Sequence, residues 1–255
     1  MASGAIAVVA GVGPGTGASV ARKFAAAYPV VLLARNPHNY ESLVDEINKS
    51  GGKAIGISTD VSNPESLKAA FDKVEQEHKG APIAAAIFNA SGGFVRKPLL
   101  DVAVEDFEAG YQVSVADRAC DGSKGAFLFS QHTLPGLLKH VEDKNAEHPP
   151  ILIFTGATAS VKANALMSGF ASAKFALRAL STSIAKEFAP QGVHVAHVII
   201  DGAIDIPQTN HWLKDMPPEA KISADDIADA YWNLSTQSKR CFTNEIDIRP
   251  MLEKW

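Results

Sequence analysis

The chain has 255 residues, 46% of them apolar and 20% charged, a composition that favours a folded core over disorder. Lys and Arg number 24 against 28 Asp and Glu, and the resulting net charge of −4 argues against a nucleic-acid or anionic-membrane surface. Two cysteines, Cys120 and Cys241, are too few for a disulfide framework or a zinc site, and they fit a reducing compartment. The charge and the cysteines lead us to expect a cytoplasmic protein with no metal and no nucleic-acid partner. We also expect no membrane partner, because no apolar run approaches the roughly 18–20 residues that span a bilayer.

Short apolar runs alternate with longer amphipathic stretches along the chain. The apolar runs cover residues 5–10, 30–34, 54–57, 83–88, 151–154 and 193–200, and the helix-like stretches cover residues 17–27, 40–49, 64–78, 104–115, 125–141 and 169–188. Consecutive apolar positions are typical of strands buried on both faces of a parallel sheet. The pattern predicts an α/β fold with a doubly wound parallel sheet (a Rossmann fold) in a single domain over residues 1–255, with a late strand at 245–248.

A loop-like stretch lies late in the chain and contains Pro217 and Pro218. Ligands of doubly wound sheets bind at the carboxyl edge of the strands, so we expect a substrate lid at about residues 205–222. Trp212 and Met216 within it either line an apolar substrate pocket or pack the lid itself.

The first predicted strand runs into a glycine-rich turn, Ala10-Gly11-Val12-Gly13-Pro14-Gly15-Thr16-Gly17, before a predicted helix. Glycines let the backbone turn tightly and approach a pyrophosphate, and the following helix N-terminus offers free N–H groups and a positive dipole end. The turn therefore predicts a dinucleotide phosphate site at Gly11, Gly13, Gly15, Thr16 and Gly17.

The spacing of these glycines resembles that of the short-chain dehydrogenase/reductase family, and further motifs follow in the family's order from about residue 4 to residue 250. They are Asp60-Val61, Asn89-Ala90-Ser91-Gly92, Phe170-Ala171-Ser172-Ala173-Lys174 and Asp201-Gly202. The resemblance implies coenzyme contacts by Asp60, Val61, Asn89, Ala90, Gly92, Lys174, Gly202 and Ile204. It also implies a small-molecule substrate and a homodimer or homotetramer built through the helices at 125–141 and 169–188.

Arg35 closes the second predicted strand, and no acidic residue lies between Val30 and Tyr40. An acidic side chain at this position would accept hydrogen bonds from the ribose 2′-OH of NAD, whereas a guanidinium pairs with the 2′-phosphate of NADP. The sequence therefore predicts NADP(H) as the coenzyme in preference to NAD(H).

The catalytic residues that the resemblance implies are incomplete. Members of the family use a Tyr as proton donor or acceptor, a Lys one helical turn later, a Ser that orients the substrate and an Asn on the preceding helix. Lys174 is kept, but Phe170 stands at the Tyr position and has no proton to donate. Near the Ser position only Thr158 carries a hydroxyl, which either replaces the Ser or is satisfied by the backbone. Residues 115–124 resemble an insertion at the Asn position.

Hydride transfer to a carbonyl leaves an alkoxide that needs a proton. Lys174, Ser168, Ser172, Tyr111 and water are candidate donors, and an activated alkene could instead take its proton from solvent. The sequence thus predicts an NADP(H)-dependent oxidoreductase for a carbonyl or activated alkene, with an unusual proton donor. The alternative is a homologue that binds the coenzyme without redox turnover, either as a sensor or scaffold or as an isomerase or cyclase.

Overall fold

A central parallel sheet organises the computed structural model, which describes residues 4–114 and 125–254. Within these residues seven strands pair in the order β3-β2-β1-β4-β5-β6-β9. Their bounds are β1 Ile6–Ala10, β2 Val30–Ala34, β3 Ala54–Ser58, β4 Ile83–Phe88, β5 Ile151–Thr155, β6 His194–Ile200 and β9 Glu245–Ile248, and a separate ribbon pairs β7 (Ile204–Asp205) with β8 (Ile222–Ser223). The predicted doubly wound parallel sheet is confirmed.

Helices cover both faces of the sheet. One face carries α1 (Thr16–Ala25), α2 (Glu41–Lys49) and α7 (Ala224–Ser235), and the other carries α3 (Pro64–His78), α5 (Gly125–Val141) and α6 (Ser168–Phe188). Helix α4 (Val104–Ser114) packs on α6. Because both faces are covered, β1, β2, β4, β5 and β6 are buried along their whole length, which explains their continuous apolar runs.

The strand order reverses at β1. This strand pairs in parallel with β2 on one side and with β4 on the other, so that Ala10 lies opposite both Leu33 and Phe88. The chain moves outward through β2 and β3 and then returns to β4 across β1. In open α/β sheets the crevice outside the carboxyl ends at such a reversal is the usual ligand site. The fold therefore gathers the ends of β1, β2 and β4 at one edge.

Helix α7 is absent from the sequence prediction, although its signals are present. Ser223 caps it by accepting a hydrogen bond from the Asp226 backbone N–H at 3.3 Å. Ile227, Tyr231 and Leu234 follow at helical spacing and are buried. The Tyr231 hydroxyl bonds to Thr155 Oγ1 at 2.7 Å, which ties α7 to the end of β5.

Further findings concern the rest of the chain. Residues 115–124, including Cys120, lie outside the described residues. In the part of the chain that is described, no helix is long and apolar enough to cross a membrane, and no group of three His, Cys, Asp or Glu side chains is placed to hold a metal.

His194 and His197 are buried in β6, where His194 Nε2 donates to the Thr243 carbonyl at 2.9 Å and His197 Nδ1 lies 3.0 Å from Glu245 Oε2.

Candidate coenzyme and active site

Two adjoining cavities open at the carboxyl edge of the sheet and share Gly11, Asn89 and Ser91 as lining residues. The first, which we call the β2-side cavity, has a volume of about 400 Å³ and follows the ends of β1, β2 and β3. The second, the β5-side cavity, has a volume of about 380 Å³ and extends from the glycine turn to α6 and the segment after β6. Together they form one elongated cleft on both sides of the strand reversal.

Most of the predicted site residues line this cleft. Gly11, Arg35, Asp60, Val61, Asn89 and Ala90 line the β2-side cavity. Gly11, Gly13, Gly15, Thr16, Gly17, Asn89, Phe170, Lys174, Gly202 and Ile204 line the β5-side cavity. The two predicted residues outside both linings are Gly92 and Thr158.

The glycine turn is held in place by the end of β4. Asn89 donates from its backbone N–H to the Ala10 carbonyl at 2.9 Å and from Nδ2 to the Gly11 carbonyl at 3.0 Å. Gly11 has a φ of 85°, and a Cβ built there would lie 2.3 Å from the Ala90 backbone nitrogen. Only glycine fits this close approach, which brings the start of α1 to the cleft.

The β2-side cavity carries one exposed cation and one constrained carboxylate. Arg35 is exposed at the end of β2, and none of the ion pairs found among the described residues involves it. Asp60 Oδ1 accepts hydrogen bonds from the Ser62 backbone N–H at 2.9 Å and from Ser62 Oγ at 2.6 Å, which fixes its orientation. The guanidinium of Arg35 is thus available to an anionic ligand.

Lys174 is the one ionisable side chain among the described residues that line the β5-side cavity. It is only 5% exposed, and its Nζ donates to the Thr155 carbonyl at 3.0 Å. Burial lowers the pKa of Lys174 from 10.5 to about 8, because the desolvated ammonium is less stable than in water. Lys174 can therefore change protonation state near neutral pH.

Apolar side chains surround the Lys174 amine in the β5-side cavity. Phe170 and Ala157 both line the β5-side cavity, and Lys174 Nζ lies 5.9 Å from the centroid of the Phe170 ring. Thr158 follows Ala157, but its hydroxyl donates to Asp201 Oδ1 at 2.6 Å. The Thr158 hydroxyl is therefore bonded to the Asp201 carboxylate, and neither residue lines the β5-side cavity.

The two serines predicted as proton donors lie away from the lining. Ser168 and Ser172 belong to α6 but do not line either cavity, and Ser168 Oγ is buried without a hydrogen-bond partner. Tyr111 belongs to α4, and its side chain lies outside the described part of the structure.

Comparison with known proteins identifies the family. Residues 5–216 match the family model described as short chain dehydrogenase. The chain belongs to the short-chain dehydrogenase family. It is 29% identical over 248 residues to an uncharacterized oxidoreductase of Staphylococcus epidermidis, an alignment that covers 96% of this chain and 97% of the relative.

Solved structures show the same relationship. A short-chain dehydrogenase from Rhodopseudomonas palustris superposes with a TM-score of 0.77 at 31% identity and covers 97% of this chain and 99% of its own. A metagenomic short-chain oxidoreductase in complex with NADP superposes with a TM-score of 0.77 at 25% identity, over 99% of both chains. The family consists of oxidoreductases that bind NAD(P).

The cleft fits a dinucleotide of this family. Gly11, Gly13 and Gly15 present backbone rather than side chains to it, and nothing lies within 4 Å of a Cβ built at Gly13, so a phosphate has space to approach. Asn89 lies beside the glycine turn where the two cavities meet, and Lys174, in the β5-side cavity alone, would hold the nicotinamide half. Arg35 and Asp60 lie at the opposite end, where the adenosine half would bind.

Sequence reasoning missed several residues of the short-chain dehydrogenase cleft. Ser91, Thr155, Gly156, Ile206 and Gln208 line the β5-side cavity without appearing among the predicted site residues. Thr155 is the last residue of β5, and Ser91 follows the end of β4 by three residues. A position at the carboxyl end of a buried strand is itself a sequence signal for a ligand-contacting residue. Ile206 and Gln208 lie in the predicted lid, and only the path of the chain after β7 brings them to the cavity.

Replacing Gly11 by Ala tests the close approach at the strand reversal. We expect Gly11→Ala to lower the free energy of unfolding by more than about 2 kcal/mol, because the added Cβ meets the Ala90 backbone at a positive φ. Urea unfolding of the coenzyme-free protein measures this. Gly13→Ala is the matched control and should stay within about 0.5 kcal/mol, since its Cβ meets open space. Equal unfolding free energies for the two variants would contradict the role given to Gly11.

Proposed function

We propose that this chain is an NADP(H)-dependent oxidoreductase that acts on a carbonyl or activated alkene of a small organic substrate. The observation that carries the proposal is the cleft wall running from the free guanidinium of Arg35, past the Gly11 turn and Asn89, to the buried ammonium of Lys174. A bound nicotinamide supplies or takes up a hydride. The side chains of this protein then have to hold the substrate and move the accompanying proton.

The preference for NADP(H) rests on Arg35. A guanidinium forms paired, charge-assisted hydrogen bonds with a phosphate, and the β2-side cavity holds the Arg35 side chain at the end of β2, where the family's coenzyme-selecting residue stands. The metagenomic relative solved with NADP, at 25% identity, supports the same choice.

We assign the proton transfer to Lys174. Phe170 and Ala157 offer no exchangeable proton, and the hydroxyls of Ser91 and Thr155 release protons only in the presence of a base. Lys174 lies in the same cavity with a pKa lowered to about 8, close to the range in which general acids work best at neutral pH. Its ammonium can donate a proton to the substrate directly or through one water.

Thr158 is better suited to positioning than to contact with the substrate. Its hydroxyl donates to Asp201, and Asp201 Oδ2 also lies 3.3 Å from Arg249 Nη2. This arrangement links the turn after β5 to the segment after β6. We propose that Thr158 fixes the position of Ala157 and Gly202 at the two sides of the cavity.

The segment at 205–222 remains our proposed substrate lid. Ile206 and Gln208 line the β5-side cavity, and the Thr209 hydroxyl donates to the Ile204 carbonyl, which anchors the start of the segment. Trp212 and Met216 do not line either cavity and are 44% and 50% exposed, so they lie on the outer part of the lid.

A second candidate is a coenzyme-binding protein without redox turnover. The observation that favours it is that Phe170, which the family resemblance aligns with the proton-donating Tyr, lines the cavity without a hydroxyl, while the Thr158 hydroxyl is bonded to Asp201. Tight NADPH binding without consumption of NADPH by any carbonyl or enone would select this alternative.

We also propose that the protein is a homodimer or homotetramer through α5 and α6. Each helix exposes a phenylalanine to solvent: Phe127 is 38% exposed on α5, and Phe175 is 41% exposed on α6. Burial of large aromatic side chains dominates the energetics of many interfaces. The family resemblance implies assembly through the same helices.

Replacing Arg35 by Asp tests the coenzyme preference. We expect Arg35→Asp to raise the Kd for NADPH by about tenfold to a hundredfold, because a charge-assisted pair with the 2′-phosphate is lost, and to leave the Kd for NADH unchanged or lower, because the new carboxylate can accept hydrogen bonds from the ribose. Fluorescence titration with both coenzymes measures this. Arg240→Asp changes the net charge equally at an exposed position and should alter neither Kd. An unchanged NADPH to NADH ratio in Arg35→Asp would show that the assignment is wrong.

The pH dependence of reduction tests Lys174 as proton donor. Only the protonated ammonium can donate, so kcat/KM should be constant below a pKa of about 8 and fall roughly tenfold per pH unit above it. Phe170→Tyr supplies a phenol beside Lys174 and should raise kcat/KM for ketones at least about tenfold, whereas Phe170→Leu should not. A profile that is flat from about pH 7 to 9 would point to solvent as the donor.

The assembly is tested by Phe175→Glu. A carboxylate in the centre of an apolar contact loses hydration without gaining a partner, so the variant should sediment as a monomer while the wild type sediments as a dimer or tetramer. Met251→Glu, at a residue that is 78% exposed outside both helices, is the control and should keep the wild-type state. A wild-type monomer in sedimentation velocity would refute the proposed interface.

A further inference from the structure

The loop between β4 and α4 places an aromatic ring against the residue that replaces the family's tyrosine. The rings of Phe94 and Phe170 meet edge to face, with centroids 5.1 Å apart and an angle of 80° between their planes. Phe170 lines the β5-side cavity, and Phe94, which is not one of the lining residues, contacts the Phe170 ring. Phe94 is 51% exposed, so much of its surface is open to a ligand.

Specific contacts hold this loop over the start of α6. The Lys97 backbone N–H donates to the Leu166 carbonyl at 3.0 Å, and Lys97 Nζ pairs with Asp106 Oδ2 at 2.8 Å. Helix α4 approaches α6 closely, because a Cβ built at Gly169 would lie 3.2 Å from the Phe107 Cα. A backbone hydrogen bond and an ion pair of Lys97 therefore hold the loop that carries Phe94, in addition to the ring contact itself.

The chemistry of the cavity restricts what can bind next to this pair. Lys174 is the one charged side chain among the described residues that line the β5-side cavity, and its Nζ faces the Phe170 ring. Ala157, Ile204 and Ile206 add apolar surface to the same cavity. Nothing described in the cavity provides a charged partner for a substrate beyond the reacting group.

We propose that Phe94 and Phe170 form a specificity-determining platform for a planar aromatic group of the substrate, so that the preferred substrates are uncharged aryl ketones, aldehydes or enones. Aromatic rings attract one another in stacked and edge-to-face arrangements beyond simple area burial. A ring stacked against Phe94 would leave a conjugated carbonyl directed along Phe170 toward Lys174. This inference rests on the proposed function, because it names the substrate class of that same site.

Calorimetric titration with two matched ketones tests the platform without requiring turnover. The probes are benzylideneacetone and its cyclohexyl analogue, which share the enone but differ in having a flat aromatic or a puckered saturated ring. They are titrated into the full-length protein saturated with NADP⁺, which has no hydride to transfer. We expect benzylideneacetone to bind about threefold to tenfold more tightly than the analogue.

Variants at the rim then identify the side chain responsible. Phe94→Leu keeps an apolar side chain but removes the ring, so it should bind both probes equally, whereas Phe94→Trp should keep the preference. Leu100→Ala, at a residue of the same loop that is 97% exposed, is the control and should behave as wild type. Equal Kd values for the two probes in the wild type would overturn the proposal, as would a preference that survives in Phe94→Leu or an absence of binding by either probe.

The proposed function can fail separately from the platform. If benzylideneacetone binds with the expected preference but is not reduced when NADPH replaces NADP⁺, the proposed redox activity is refuted and the proposed aromatic platform is supported. If other carbonyl compounds are reduced but the two probes bind equally, the redox activity stands and the platform is wrong.

Discussion

The close approach of β1 and β4 at their carboxyl ends is the constraint on which the site depends. Asn89 holds the Gly11 carbonyl, and the missing side chain of Gly11 lets the Ala90 backbone pass at a distance that no other residue would allow. This contact fixes the direction of the turn and thus the start of α1. The two cavities meet at this contact, since Gly11 and Asn89 line both of them.

A buried lysine beside an aromatic ring is the second feature of the site. Lys174 Nζ lies 5.9 Å from the centroid of the Phe170 ring. Burial favours the neutral amine and lowers the pKa of Lys174 to about 8. The proton donor and the substrate class proposed above both rest on this pairing of a titratable amine with an apolar ring.

Much of the fold follows from local sequence patterns. Continuous apolar runs in β1, β2 and β4 predict buried parallel strands because a sheet covered on both faces has no polar side. Helix α7 carries local signals of the same kind, because Ser223 is a favourable N-cap and Ile227 and Tyr231 follow at helical spacing. The glycine turn, Arg35, Asn89 and Lys174 were identifiable because a backbone approach, a charge or a family motif requires a particular residue type.

The fold class follows from residue types and their order along the chain, and the same information predicts the glycine turn, Arg35 and Lys174 as candidate coenzyme residues. The Thr158–Asp201 hydrogen bond and the contact of Phe94 with Phe170 are visible only in the folded structure. The members of each pair lie far apart in the chain, and no local pattern encodes which distant side chain a hydroxyl or a ring will meet. Such pairings are set by the packing of α6 and the strand ends, which exists only after the sheet has formed.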